Sequence, residues 1–268
     1  MNKPKPNTAL TAWLAETHYE ALRVLRRPAY FVPVLILPIA FFLMFGVGLA
    51  SQNGGAEATL HVFIGYGIFG VLAATVMGLA AAVAAEREQG LLILKRALPL
   101  PPGAYLGAKV ATALTIAATV NLTLAMLAAT AGHVVLAPAQ WFDIFAINVL
   151  GGIPFAALGL FIGSRIGAAA APGVANAVYL PLAFLGGLWV PLQFLPPVVQ
   201  QIAQFLPSYH LLQLSLSVID RSDASSAWLH AAVLAGFAVL FFGLARQKLA
   251  YDGASAAGAP PTLRRLGR

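Results

Sequence analysis

Cysteine is absent from this sequence, which excludes disulfides and thiolate metal sites. Charge is nearly as scarce. Only 9% of the 268 residues are Asp, Glu, Lys or Arg, against about 25% in an ordinary soluble domain. So few charges do not coat a water-exposed surface of this size. With 60% of residues hydrophobic, the solvent for that surface is lipid. Several motifs are missing too. No G-x-x-x-x-G-K-[ST] loop occurs, since Lys109 in Gly-Ala-Lys is followed by Val110, so the chain lacks that means of cradling ATP phosphates. No His-Glu-x-x-His occurs, and His18, His61, His133, His210 and His230 are scattered. Gly163-Ser164 lacks the rest of a nucleophile elbow. The expectation is a chain that is not an enzyme, with no catalytic or metal-ligating residues and no cofactor of its own. No small-residue cleavage site closely follows the first apolar run, which reads as a retained signal-anchor.

What is present is a set of apolar runs. A helix crossing about 30 Å of hydrocarbon needs roughly 20 mostly apolar residues. Six runs qualify: Ala29–Ala50, Leu60–Ala84, Tyr105–Ala131, Phe142–Gly163, Pro172–Val190 and Ala227–Ala245. They are continuous and do not alternate, which disfavours strands. The expected fold is an all-α membrane protein with six transmembrane helices. Residues 1–28 form a cytoplasmic N-terminus, 29–246 the transmembrane domain and 247–268 a cytoplasmic tail. The Ala-, Gly- and Pro-rich stretch from Asp252 is expected to be unstructured.

The net charge of +7 is a matter of topology, not of nucleic-acid binding. With a cytoplasmic N-terminus, Lys3, Lys5, Arg23, Arg26, Arg27, Arg87, Lys95, Arg96, Lys109, Arg165, Arg246, Lys248, Arg264, Arg265 and Arg268 all lie inside. Of the 16 basic residues only Arg221 falls outside. Both termini are therefore expected in the cytoplasm of a multi-pass plasma (inner) membrane protein. The third outer segment, Pro191–Ser226, is long and partly apolar. Its centre, Pro197–Phe205, bracketed by Pro196, Pro197 and Pro207, reads as a short re-entrant helix or as a surface helix.

Two inner segments carry pattern. Thr11–Arg27 places Leu14, His18, Ala21, Leu22 and Leu25 at helical spacing, with Glu16, Glu20, Arg23 and Arg27 opposite. Trp13 and Tyr19 suit an interfacial level, so an amphipathic helix on the inner surface is expected. The loop after span two reads Glu86-Arg87-Glu88-Gln89-Gly90, then Leu91–Leu98, then Pro99–Pro102. Acids at its start and Lys95 and Arg96 near its end suit a short helix that the prolines stop. Its leucines make it a candidate docking surface for a cytoplasmic partner, against the plainer reading of a basic inside loop.

That loop, with Gly107-x-Lys109 after it, resembles the cytoplasmic signature of ABC-2 type transporter permeases. A second block is similar to that family's fifth span and outer loop: Asn176–Gly187, Trp189-Val190-Pro191-Leu192, Leu195-Pro196 and Phe205-Leu206-Pro207-x-Tyr209-His210. The resemblance runs from about Thr11 to Lys248 and leaves the tail unexplained. It implies a dimer of six-span permease chains. It also implies a separate ATP-binding subunit that holds ATP and Mg. Docking would involve Glu20 and Arg23 of the N-terminal helix and Glu86, Arg87, Glu88 and Gly90 of the loop.

No charged residue lies deep in any span, which disfavours an ion-coupled carrier. No filter or charged ring suggests a channel. An apolar route with Phe41, Phe42, Phe45, Tyr66, Phe69, Tyr179 and Phe184 suits a drug-like or lipid-like molecule. By the resemblance, Asn176 and Tyr179 on span five contact substrate. A polysaccharide or glycolipid exporter of the same architecture is the alternative. Gly159, Gly163 and Gly167 recur every four residues and read as an internal helix-packing seam.

Overall fold

The computed structural model describes residues 17, 28–50, 55–91, 104–219 and 224–258. The expected amphipathic helix, with Glu20 and Arg23, lies outside them apart from Thr17, as does 92–103 of the docking loop. Within the described residues the chain is all α, with no strand.

Helix α1 spans Pro28–Phe41 and continues as a π-helical stretch to Ala50. Next come α2 (Gly55–Leu72), a π turn (Ala73–Met77) and α3 (Gly78–Glu88), which form one continuous rod of 34 residues. At 1.5 Å per residue the rod is roughly 50 Å long, more than the thickness of a hydrocarbon core. In the π turn Thr75 Oγ1 donates to Val71 O at 2.6 Å, a bond that competes with the regular ladder. The rod is the central element, with Ile64, Ile68, Phe69 and Leu72 fully buried.

Around it stand α4 (Ala104–Thr130), α5 (Pro138–Leu150), α6 (Ile153–Arg165) and α7 (Ala171–Leu185). A short 3-10 turn, Leu192–Phe194, leads into α8 (Pro197–Ala203), α9 (Pro207–Leu216) and the long α10 (Ala224–Gly258). Four stretches are long and apolar enough to cross a membrane: Gly55–Glu88, Tyr105–Thr130, Pro138–Arg165 and Ala227–Lys248. Val34–Leu49 and Ala171–Leu185 are shorter apolar helices.

Three features depart from the sequence expectation. The fourth run is two helices, broken at Gly151 and Gly152 with Pro154 in the first turn of α6. A side chain at Gly151 would strike Leu211, and one at Gly152 would strike Val71 and Leu114, so packing holds the break. The fifth run stops as a helix at Leu185, because Gly187 turns the chain back at φ +79°. The tail stays helical to Gly258, past the expected start of disorder, where Ala254, Ala256 and Ala257 favour a helix. The segment after α7 contains a short helix, α8, with Val198 and Ile202 exposed.

The glycine seam is internal. A Cβ at Gly159 would lie 2.4 Å from Thr75 O, and one at Gly163 would lie 2.8 Å from Ala80 O. Helix α6 thus packs backbone to backbone on the rod. On the other side α6 packs against α10, whose opposite face is exposed at Trp228, Leu229, Val239 and Leu240.

A buried polar chain crosses the core. Ser215 Oγ donates to Asn148 Oδ1 (2.7 Å), Asn148 Nδ2 donates to Asn121 Oδ1 (3.0 Å), and Asn121 Nδ2 donates to Gly67 O (3.2 Å). Gly67 leaves room for it, since a Cβ there would lie 2.7 Å from Asn121 Oδ1. The chain links α9, α5, α4 and α2. Asn148→Leu strands an acceptor on Asn121 and a donor on Ser215. It is expected to cost about 1–3 kcal/mol, read as a lower thermal midpoint in detergent. An unchanged midpoint would mean the chain contributes nothing.

Candidate functional site

Two regions gather the residues singled out by the sequence. The first is the C-terminal end of the rod, where three consecutive charges each hold a different element. Glu86 is 1% exposed, and its carboxylate accepts from Lys109 Nζ and Tyr105 Oη, both at 2.7 Å. That ties α3 to the first turns of α4. The Lys109 side chain is itself only 2% exposed, so the pair is fully buried. Arg87 donates from Nη1 to Ser164 O and from Nη2 to Ile166 O (3.1 Å). Its guanidinium thereby satisfies carbonyls at the C-terminus of α6, where a cation is also favoured by the helix dipole. Glu88 Oε1 accepts from the backbone N–H of Ala168 at 2.7 Å, in the turn before α7. Gly167 leaves the carboxylate its space, since a Cβ there would lie 2.9 Å from the same oxygen.

The rod then ends at Gly90, whose φ of +71° and open surroundings suit glycine alone. Glu86 therefore turns into the bundle. Glu88 and Gln89 are exposed. Beside them Arg165 stacks on Phe161, 4.2 Å from the ring centroid, and donates to Leu244 O at 3.4 Å. Sequence reasoning placed the acids by the pattern of one helix and missed their partners. Tyr105 and Lys109 are 19 and 23 residues further on, beyond any local spacing rule.

The second region is an aromatic network joining α1, α2, α7 and the loop after α7. Phe41 lies 6.0 Å from Phe45 and 5.8 Å from Tyr66, and Phe45 lies nearly parallel to Tyr66 at 6.3 Å. Tyr66 meets Phe69 at 6.3 Å, Phe69 meets Tyr179 at 5.7 Å and Trp189 at 5.3 Å, and Trp189 meets Phe184 at 6.3 Å. Phe41, Phe45, Phe69 and Tyr179 are thus in one connected cluster, while Phe42 packs separately on Phe63. Asn176 stands half-buried one turn before Tyr179. The inner members, Tyr66, Phe69 and Tyr179, are buried, whereas Phe45 and Phe184 are exposed at the two edges. Trp189, quoted above in the second block of the resemblance, was not counted among the aromatics of the route, although a Trp just after a span is an interfacial signal. Its indole Nε1 is buried with no hydrogen-bond partner among the described residues.

No three His, Asp or Glu side chains among the described residues are placed to hold a metal. The arrangement offers apolar and aromatic surface between helices and a charged hub at one end of the rod.

The ABC-2 type transporter family model matches residues 11–219. The "Putative transport permease YvfS" of Bacillus subtilis (strain 168) is 29% identical over 229 residues, covering 85% of this chain and 92% of that protein. The match takes in both regions just described, and this chain belongs to the ABC-2 type transporter family as a membrane permease.

Proposed function

We propose that the chain is the membrane half of an exporter that moves a hydrophobic or amphipathic compound outward, driven by ATP hydrolysed on a separate subunit. It crosses the plasma (inner) membrane six times with both termini in the cytoplasm. Val34–Leu49 and Ala171–Leu185 supply the first and fifth spans, and α8 dips into the outer leaflet. Two permease chains pair, and each docks one ATP-binding subunit at the end where α3 stops. Glu88, Gln89 and Gly90 lie at the docking surface with the N-terminal helix, while Glu86 and Arg87 hold that surface rigid from within.

The observation that carries the substrate reading is the aromatic network, which has exposed rings at its edges and no charged member. Such a surface favours apolar and aromatic molecules. The indole N–H of Trp189 is a buried donor suited to an acceptor on the passing molecule. The test uses the purified permease–ATPase complex in nanodiscs. Lipophilic dyes are expected to stimulate ATP hydrolysis, and Phe45→Ala to raise the half-maximal dye concentration roughly tenfold, the loss of about 1.4 kcal/mol of contact. Stimulation by oligosaccharides but not by dyes would favour the glycan-exporting alternative instead.

A further inference from the structure

Two histidines that the transport reading does not use hold the segment after α7 to the last long helix. His210 lies on α9 and His230 near the start of α10, with exposures of 5% and 8%. Their Nδ1 atoms are 2.7 Å apart. At that distance two N–H groups clash and two lone pairs repel, so one ring donates and the other accepts. The second nitrogen of His210 decides which. Nε2 lies 2.9 Å from the carbonyl oxygen of Gln204, the residue that closes α8. A carbonyl only accepts, so Nε2 carries a proton. In neutral His210 the Nδ1 is then bare, and His230 Nδ1–H donates to it. The hydrogen bonds run from α10 to α9 and on to the end of α8.

We propose that this pair is a proton-operated latch between the α8–α9 segment and α10. While both rings are neutral it is closed. A first proton still leaves an imidazolium–imidazole N–H···N bond, because His230 then holds its own proton on Nε2. When both rings are cations, N–H is set against N–H and the two charges repel, which releases α10. Tyr209 packs edge-on against both rings, at 5.3 and 6.0 Å. The other titratable or charged groups with described side chains on these helices and those packed against them are Glu57, His61 and Tyr66 on α2, Asp143 on α5, Arg165 on α6, Tyr179 on α7, and Arg246 and Lys248 at the far end of α10. Among the described residues none of them hydrogen-bonds or ion-pairs with either imidazole. Burial holds His210 below the ordinary histidine range, partly opposed by the Gln204 carbonyl. The sign follows: the latch is intact above that range and is lost as pH falls.

The absence of native cysteine makes the test direct. Spin labels go on cysteines at Val198 of α8 and Leu229 of α10, both exposed. Distances are measured on the full chain in detergent, where acid reaches the pair whichever side of the membrane it faces. At about pH 8 a single narrow distribution is expected, and by about pH 5 its short component falls at least twofold. His210→Gln keeps a donor for Gln204 and an acceptor for His230 but takes up no proton, so its distribution stays narrow at both pH values. Nitrogen NMR of the histidine-labelled wild-type chain gives a reading free of any variant. One ring should be the Nε2–H tautomer and the other Nδ1–H. A wild-type distribution that ignores pH, a response that survives in His210→Gln, or two rings of the same tautomer would each overturn the latch.

Discussion

Replacing Lys109 with Met is expected to cost about 3–5 kcal/mol, the usual penalty for removing one partner of a buried ion pair. The Glu86 carboxylate stays 1% exposed and loses the ammonium that sits 2.7 Å away. Met matches the length of the Lys stem, so the effect reports the lost charge and not a cavity. The readout is the fraction of chain still monodisperse after heating in detergent. Glu86→Gln combined with Lys109→Met leaves no charge to compensate and should recover much of the loss. If Lys109→Met is as stable as wild type, the pair does not join α3 to α4 as described. The consequence reaches beyond stability, because α3 carries Arg87 and Glu88 to the ends of α6 and the turn before α7. Loosening it should weaken retention of the ATPase even in chain that remains folded.

Gly65→Ala should be the most damaging added methyl group among the described glycines. An added Cβ would lie 1.9 Å from Leu188 O and 2.9 Å from the Leu188 carbonyl carbon. The obstacle is backbone, so no rotamer change relieves it. The backbone cannot retreat easily either. Gly187 holds the turn at φ +79°, its carbonyl accepts a hydrogen bond from His61 Nε2 at 3.2 Å, and Leu188 is fully buried. Overpacking usually costs about 1–3 kcal/mol, and a rigid backbone contact belongs above that range. Little or no folded chain should be recovered. Gly236→Ala on α10 is the control, because nothing lies within 4 Å of its added methyl. It should be neutral or stabilising by up to about 1 kcal/mol. Equal yields of the two variants would contradict the described contact between α2 and the turn after α7.

Particular residues show how far the sequence could be read. Continuous apolar runs and sparse charge were enough for an all-α membrane fold, because lipid demands internally bonded backbone. The seam at Gly159 and Gly163 was legible as a spacing, though not which helix it meets. The break at Gly151 and Gly152 carried a local signal, a Gly-Gly pair followed by Pro154, although the apolar run continues through it. The aromatic route was visible as a composition along α1, α2 and α7, and three-dimensional packing added Trp189 to it. The Glu86–Lys109 and His210–His230 pairs were illegible. Their members sit 23 and 20 residues apart on different helices, and local periodicity carries no information across such a gap.

The central claim is that a separate ATPase docks where the rod ends. The measurement is co-purification in mild detergent with the ATPase encoded beside the gene, comparing wild type with Gln89→Trp. Gln89 is exposed at the end of α3, and its side chain has no part in the ties made by Glu86, Arg87 and Glu88. The account predicts a stable, ATP-hydrolysing complex from wild type and a weaker one from an equally folded Gln89→Trp. It also predicts no hydrolysis by the permease alone. A wild-type chain that retains no ATPase, or that hydrolyses ATP without one, would contradict it.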